Sequence, residues 1–167
     1  HMRKLGANFP TFIGVDNQKR RKELLISSLL LQHINPHTNI IYTKYGAPRL
    51  KKSICNSDRY DNISVSHSKK LVAVLLAKNK AGVDIEEINN KPLNLSPKFI
   101  GKNSHQNLSN DKATLIWCAK EAIYKWHQKG KVDFINDIKI HEFKIKANGK
   151  LTANFKKERL FLNYQKI

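Results

Sequence analysis

Residues 19–34, KRRKELLISSLLLQHI, open with a run of charges and then place Leu24, Leu25, Leu29 and Ile34 at roughly helical spacing. This pattern predicts an amphipathic helix that ends before Pro36. NIIYTKY, at 39–45, reads as a short β run, YGAPRL at 45–50 as a turn, and the polar residues 51–62 as loop. Three apolar runs follow in quick order: ISVS at 63–66, LVAVLLA at 71–77 and AGVDIEEI at 81–88. The intervening HSKK and KNK are hairpin-sized, which predicts an antiparallel meander.

Residues 89–110 carry Pro, Gly, Ser and Asn and read as a mobile connection long enough for a functional loop. A second helix is expected over 111–129, with Ser109 or Asn110 as its cap, Asp111 favouring its positive end and Gly130 following its last turn. The tail alternates as three strands, DIKIHEFKI, KLTANF and RLFLNYQ, with ANGK as a turn. Helix then strands, twice, predicts an α+β class. The expectation is one domain over 1–167 made of two similar α/β halves, about 3–95 and 96–167, with the site at their interface.

Charge adds a statement about partners. The chain holds 31 Lys and Arg against 13 Asp and Glu, a formal net charge of +18. Such an excess attracts polyanions and acidic proteins and says little about fold. No aromatic-rich β motif or recognition-helix signature accompanies it, so nucleic acid is not the expected partner. No apolar run approaches the ~18 residues of a membrane span, so no membrane association is expected. Cys55 and Cys118 lack metal-type spacing, and a reduced, cytoplasmic location is the economical reading. His1 and Met2 read as a tag remnant, and no signal peptide is recognised after them.

Against that excess, GVDIEE at 82–87 concentrates three of the thirteen acids in four positions. On a strand, Asp84 and Glu86 would share one face, with Val83 and Ile85 on the other. Adjacent carboxylates repel, and one stays protonated unless a cation bridges them. Oxygen ligands suit Mg²⁺, which commonly takes one or two carboxylates plus waters and substrate phosphates. Alone, such a pair reads sooner as a solvated strand face matched by surplus lysines. The second helix adds WCAKEAIYKW at 117–126, where Trp117, Glu121 and Lys125 recur every four residues along one stripe. An ordinary Glu–Lys helix pair of ~0.2–0.5 kcal/mol is one reading. The other makes Glu121 a third acid for the cation, with Lys125 meeting a phosphate.

GVDIE followed by WCAKEAIYK, with thirty residues between Glu86 and Trp117, resembles the two signature blocks of the 4′-phosphopantetheinyl transferases. VSHS at 65–68 resembles a third block, and YGAPRL a weaker glycine–proline block. The resemblance runs over residues 20–143, and its paired-half pattern looks like the larger, surfactin-synthetase-activating type, in a short form. It implies transfer of the 4′-phosphopantetheine arm of coenzyme A to a serine of an acidic acyl or peptidyl carrier protein, with release of adenosine 3′,5′-bisphosphate. By the resemblance, Asp84, Glu86 and Glu121 hold Mg²⁺, or alternatively Mn²⁺. Lys125 and Asp84 meet the coenzyme, Glu121 and Lys125 are catalytic, and His67 meets the 3′-phosphate with Ser66 nearby. Lys19, Arg20, Arg21 and Lys22 at the first helix start are candidates for the adenosine phosphates or the carrier, and as a cluster they equally fit a solvated helix end. Paired halves in one chain imply a monomer. Ser66 and His67 are strand neighbours facing opposite ways, so they do not form a nucleophile–base pair.

Several positions depart from the family pattern. Ala47 stands where a lysine is common, which leaves Lys44 or Arg49 as substitute coenzyme A contacts. KFIGKNSHQNL keeps Phe99 but supplies no acid, Cys118 replaces a serine or threonine, and the tail is short. These departures define a rival reading, a member that binds coenzyme A or a carrier without transfer. A Mg²⁺-dependent nuclease is a further rival, although such sites usually carry E-x-K on one strand.

Overall fold

A computed structural model of the chain describes residues 17–36, 38–51, 60–101 and 105–167. The expectation of a tag remnant, most of the loop expected over 51–62, and Cys55 lie outside these residues. Helix α1 runs over Gln18–Ile34, capped by the Asn17 side chain, which accepts from the Arg20 amide at 3.2 Å. Its buried face is Leu24, Ser27, Ser28 and Leu31; of the stripe expected from spacing, Leu24 is buried, Leu25 and Leu29 are half-buried, and Ile34 is exposed. The serines allow close packing because Ser27 satisfies its own hydroxyl, donating to the Glu23 carbonyl at 2.7 Å.

Strands β1 (Asn39–Tyr42) and β2 (Pro48–Lys51) form an antiparallel hairpin in which Tyr42 faces Pro48. YGAPRL is therefore split, since its second half is strand. The turn is closed by Thr43, whose hydroxyl accepts from the amides of Tyr45 and Ala47, and by Gly46 at φ +77°. Strands β3 (Asn62–His67) and β4 (Val72–Ala77) form the expected antiparallel hairpin, with Val65 opposite Val74.

The third strand of the meander does not form. Residues 81–88 join no ladder. The Val83 amide donates to Ser64 Oγ at 3.1 Å and the Ile85 amide to Ser66 Oγ at 3.3 Å. Two buried serine hydroxyls thus take the amides that a neighbouring backbone would otherwise accept. Because 64 matches 83 and 66 matches 85, the segment advances in the same direction as β3 rather than reversing.

The described part of the connection at 89–110 is more ordered than its composition implies. It holds a short helix α2 (Lys91–Leu95), started by Pro92, then a 3₁₀ turn (Ser96–Lys98), and it sends Phe99 and Ile100 into the core. Helix α3 (Asn110–His127) begins where Ser109 Oγ accepts from the Lys112 amide and ends at Gln128, which takes the left-handed conformation at φ +60°. Strands β5 (Ile138–Ile140), β6 (Asn148–Phe155) and β7 (Glu158–Gln165) form one antiparallel sheet in that order. The tight turn lies at Lys156 and Lys157, while the expected turn ANGK overlaps the start of β6.

The core lies between α3 and this sheet, where Ile116 and Ile123 meet Ile138, Leu151 and Phe155. Each such side chain contributes roughly 1.5–3 kcal/mol by leaving water. Helix α3 therefore buries one side and presents another, carrying Trp117, Glu121 and Lys125, away from the sheet. Among the described residues no helix is long and apolar enough to cross a membrane.

Gly82 fixes how closely residues 81–88 approach α3. A Cβ there would stand 1.9 Å from the Ala122 carbonyl oxygen and 2.8 Å from the Trp126 amide nitrogen, both backbone atoms that cannot swing aside. Gly82→Ala is expected to cost about 1–3 kcal/mol in urea unfolding. An unchanged midpoint would show that this approach is not tight in solution.

Candidate active site

A cavity of about 380 Å³ opens where α1, the β1–β2 turn, β3, residues 84 and 86 and the exposed side of α3 meet. Ser66, His67, Asp84, Glu86, Glu121 and Lys125 all line it. Lys44 and Arg49 do not. Lys44 lies over the Tyr45 ring, and Arg49 is exposed on β2. At the glycine–proline block the cavity instead meets Gly46, Ala47 and Pro48.

The Asp84 side chain is only 4 % exposed. Its Oδ1 accepts from Lys125 Nζ at 2.6 Å and from Ser66 Oγ at 2.7 Å, and Lys125 Nζ also reaches Ser66 Oγ at 2.8 Å. Asp84 Oδ2 is buried with no hydrogen-bond partner. Glu86 Oε1 accepts from the Trp117 indole N–H at 3.1 Å. Burial raises the Glu86 carboxyl above its ordinary value and the Asp84 charge raises it further, against the opposing pull of Trp117, Lys125 and Lys91. Glu121 is raised in the same way, by burial first and then by Asp84, with Lys125 opposing.

Negative charge is thus crowded at one end of the cavity beyond what Lys125 balances. The donors are all hard oxygens, and Asp84 Oδ2 is an unused one, so the chemistry of the set fits a divalent cation such as Mg²⁺. The side chains are not drawn together around such an ion: among the described residues no three His, Cys, Asp or Glu groups stand close enough to hold a metal jointly. Cys118 sits behind Asp84. Its thiol is pushed far up, by burial first and then by that carboxylate, which leaves it an inert packing group.

Arg20, Glu23 and His67 meet at another part of the cavity wall, brought together by packing rather than by motif spacing. His67 Nε2 lies 3.1 Å from Glu23 Oε2 and 3.1 Å from Arg20 Nη1, which is itself 3.3 Å from the same Glu23 oxygen. Arg20 lies in the basic start of α1, but no pattern marks it apart from its neighbours. Glu23 is one helical turn further on and looks like an ordinary helix-pair acid. Their approach to His67, 47 residues from Arg20, depends on how α1 packs against the strands.

The sequence profile of the 4′-phosphopantetheinyl transferase superfamily matches residues 80–166, more than half of the chain. This protein belongs to that superfamily. The match begins just before GVDIEE and takes in all of α3 and the sheet β5–β7, so it includes Asp84, Glu86, Glu121 and Lys125. Ser66, His67 and Arg20 lie before it. No curated protein matches the chain. Membership in the superfamily makes the chain a transferase of the phosphopantetheine class.

Burial holds the His67 imidazole below its ordinary 6.5, with Arg20, Lys125 and Lys19 lowering it further and Glu23 opposing. In the window just below pH 6.5 the unfolded chain therefore binds more protons at this position than the folded one. The contribution is fully present above pH 6.5 and is lost as pH falls through the lowered folded value. Urea midpoints measured from pH 8 downward should decline through this window, and His67→Gln should flatten part of that decline. A profile identical to the parent's would show that His67 does not titrate differently on folding.

Proposed function

We propose that this chain transfers the 4′-phosphopantetheine arm of coenzyme A to a serine of an acidic acyl or peptidyl carrier protein, with a divalent cation bound among Asp84, Glu86 and Glu121. The observation that carries this reading is that those acids and Lys125, from two separated signature blocks, line one cavity that Arg20 and His67 also line. Walls drawn from α1 and β3 on one side and α3 on the other support a site between two halves of the chain.

In the proposed reaction the carrier serine oxygen bonds to the phosphorus that bears the pantetheine arm. The bond from that phosphorus to the adenosine bisphosphate breaks, and the leaving group departs with the electron pair. Glu121, whose carboxyl burial pushes up, takes the serine proton. Mg²⁺, or Mn²⁺, when bound neutralises charge that grows on the leaving oxygen. Lys125, anchored between Ser66 and Asp84, meets the pyrophosphate without needing to move a proton. Arg20 and His67 take the adenosine phosphates. The surplus of basic residues attracts an acidic carrier over distance, which makes the encounter salt-sensitive.

The non-catalytic reading draws on Ala47, on the acid-free connection and on carboxylates that are not drawn together. One assay separates the two: incubation with coenzyme A, Mg²⁺ and a panel of apo carriers, followed by intact mass. The expected result is a gain of one phosphopantetheine arm on at least one carrier, abolished by EDTA and lowered at least ~100-fold in Glu86→Ala. Coenzyme A binding without any mass gain across the panel would favour the binder.

A further inference from the structure

Lys120, next to Glu121 on α3, has no part in the reaction just described, and its burial needs an explanation. It is 3 % exposed, and burial lowers its ammonium below the ordinary lysine range to about 8, with Lys139 lowering it further and the Asp133 charge opposing. Its Nζ donates to the carbonyls of Phe134 and Ile138, each at 2.5 Å. An ammonium buried against two carbonyls costs more than an apolar chain of equal length would, so packing alone does not account for a lysine here.

Those two carbonyls bracket the turn between α3 and β5. The turn is closed on itself by Asp133, which accepts from the amides of Ile135 and Asn136 at 2.8 and 3.0 Å. Lys120 ties this closed unit to α3. What the tie positions is the Phe134 ring, 5.6 Å from Trp117 and 5.8 Å from Tyr124, centroid to centroid. Phe99 meets the Trp117 ring at 5.0 Å, edge to face. Trp117 is thus held by two rings, and its N–H reaches Glu86.

We propose that Lys120 is a positioning residue for the acid cluster: it anchors the turn that seats Phe134 beside Trp117, and Trp117 in turn holds Glu86. This rests on the proposed role of Glu86 as a cation ligand. Supporting partners of metal ligands typically change metal affinity by ~10–100-fold when removed.

The test uses the full chain carrying Trp126→Phe, which leaves Trp117 as the only tryptophan. Mn²⁺ is titrated while Trp117 fluorescence is read, and acrylamide quenching is measured without metal. Lys120→Met and Phe134→Leu should each weaken Mn²⁺ binding about tenfold and raise acrylamide quenching, with helix content retained by circular dichroism. The double variant should be no weaker than either single one, because both cut the same relay. Wild-type affinity in either single variant, or losses that multiply in the double, would overturn the proposal. If Lys120→Met does not fold, Phe134→Leu decides, since it leaves both carbonyls in place. If the parent binds no Mn²⁺, the cation reading of Glu86 fails instead, and the relay is judged on acrylamide quenching alone: unchanged quenching overturns it.

Discussion

A hydroxyl, a carboxylate and an ammonium, from Ser66, Asp84 and Lys125, stand within 2.6–2.8 Å of one another where β3, residues 81–88 and α3 meet. These pieces are separated by up to 59 residues, and no backbone ladder joins the middle one to either neighbour. The position of Asp84 is therefore set by side chains: the serines of β3 hold its flanking amides, and Gly82 lets the segment approach α3. Removing the lysine or the carboxylate from a buried pair typically costs about 3–5 kcal/mol, because the remaining charge stays out of water. Here the lower end applies, since the Lys125 side chain keeps 26 % of its surface exposed.

The same contact sorts charge within the cavity. Lys125 balances Asp84, which leaves Glu86 and Glu121 to repel each other and the aspartate. The carboxylates and the Arg20–Glu23–His67 group both line the cavity. On the function proposed above, a polyanion accompanied by a divalent cation would use both, which would account for an acid cluster in so basic a chain.

How much of this could be read in the sequence follows from the range of the interactions involved. The helices α1 and α3 were legible because the signals are local: apolar spacing and a following Pro36 for α1, and for α3 a cap, Ser109, that acts within three residues. The β3–β4 hairpin was legible for the same reason. The absent third strand was not, because AGVDIEEI has strand composition, and what diverts it is a pair of hydroxyls nineteen residues away. The buried face of α1 was misread toward leucines because Ser27 and Ser28 look polar until packing and the back-bond of Ser27 are known. At the site, the acids and Lys125 stood out as signature blocks. Arg20 was legible only as one of the basic cluster Lys19–Lys22, and Glu23 not at all, since nothing within α1 distinguishes either from its neighbours.

Helix α1 begins with Lys19, Arg20, Arg21 and Lys22 and has no acid in its first turn, which opposes the positive end of its own dipole. That arrangement weakens the helix unless negative charge is supplied from elsewhere. Glu23 supplies part of it, reaching Lys19 at 3.8 Å and Arg20 at 3.3 Å, and its side chain is only 12 % exposed. One carboxylate shared among Lys19, Arg20 and His67 leaves the helix start net positive, so an anion arriving there meets charge that is already held in place. An acid inside a polyanion site is then no contradiction. Without Glu23 the imidazole and the guanidinium would lose their shared acceptor and be ordered only by the ligand, at an entropic cost on each binding event. The acid lowers the local positive charge and in return fixes the geometry of what remains.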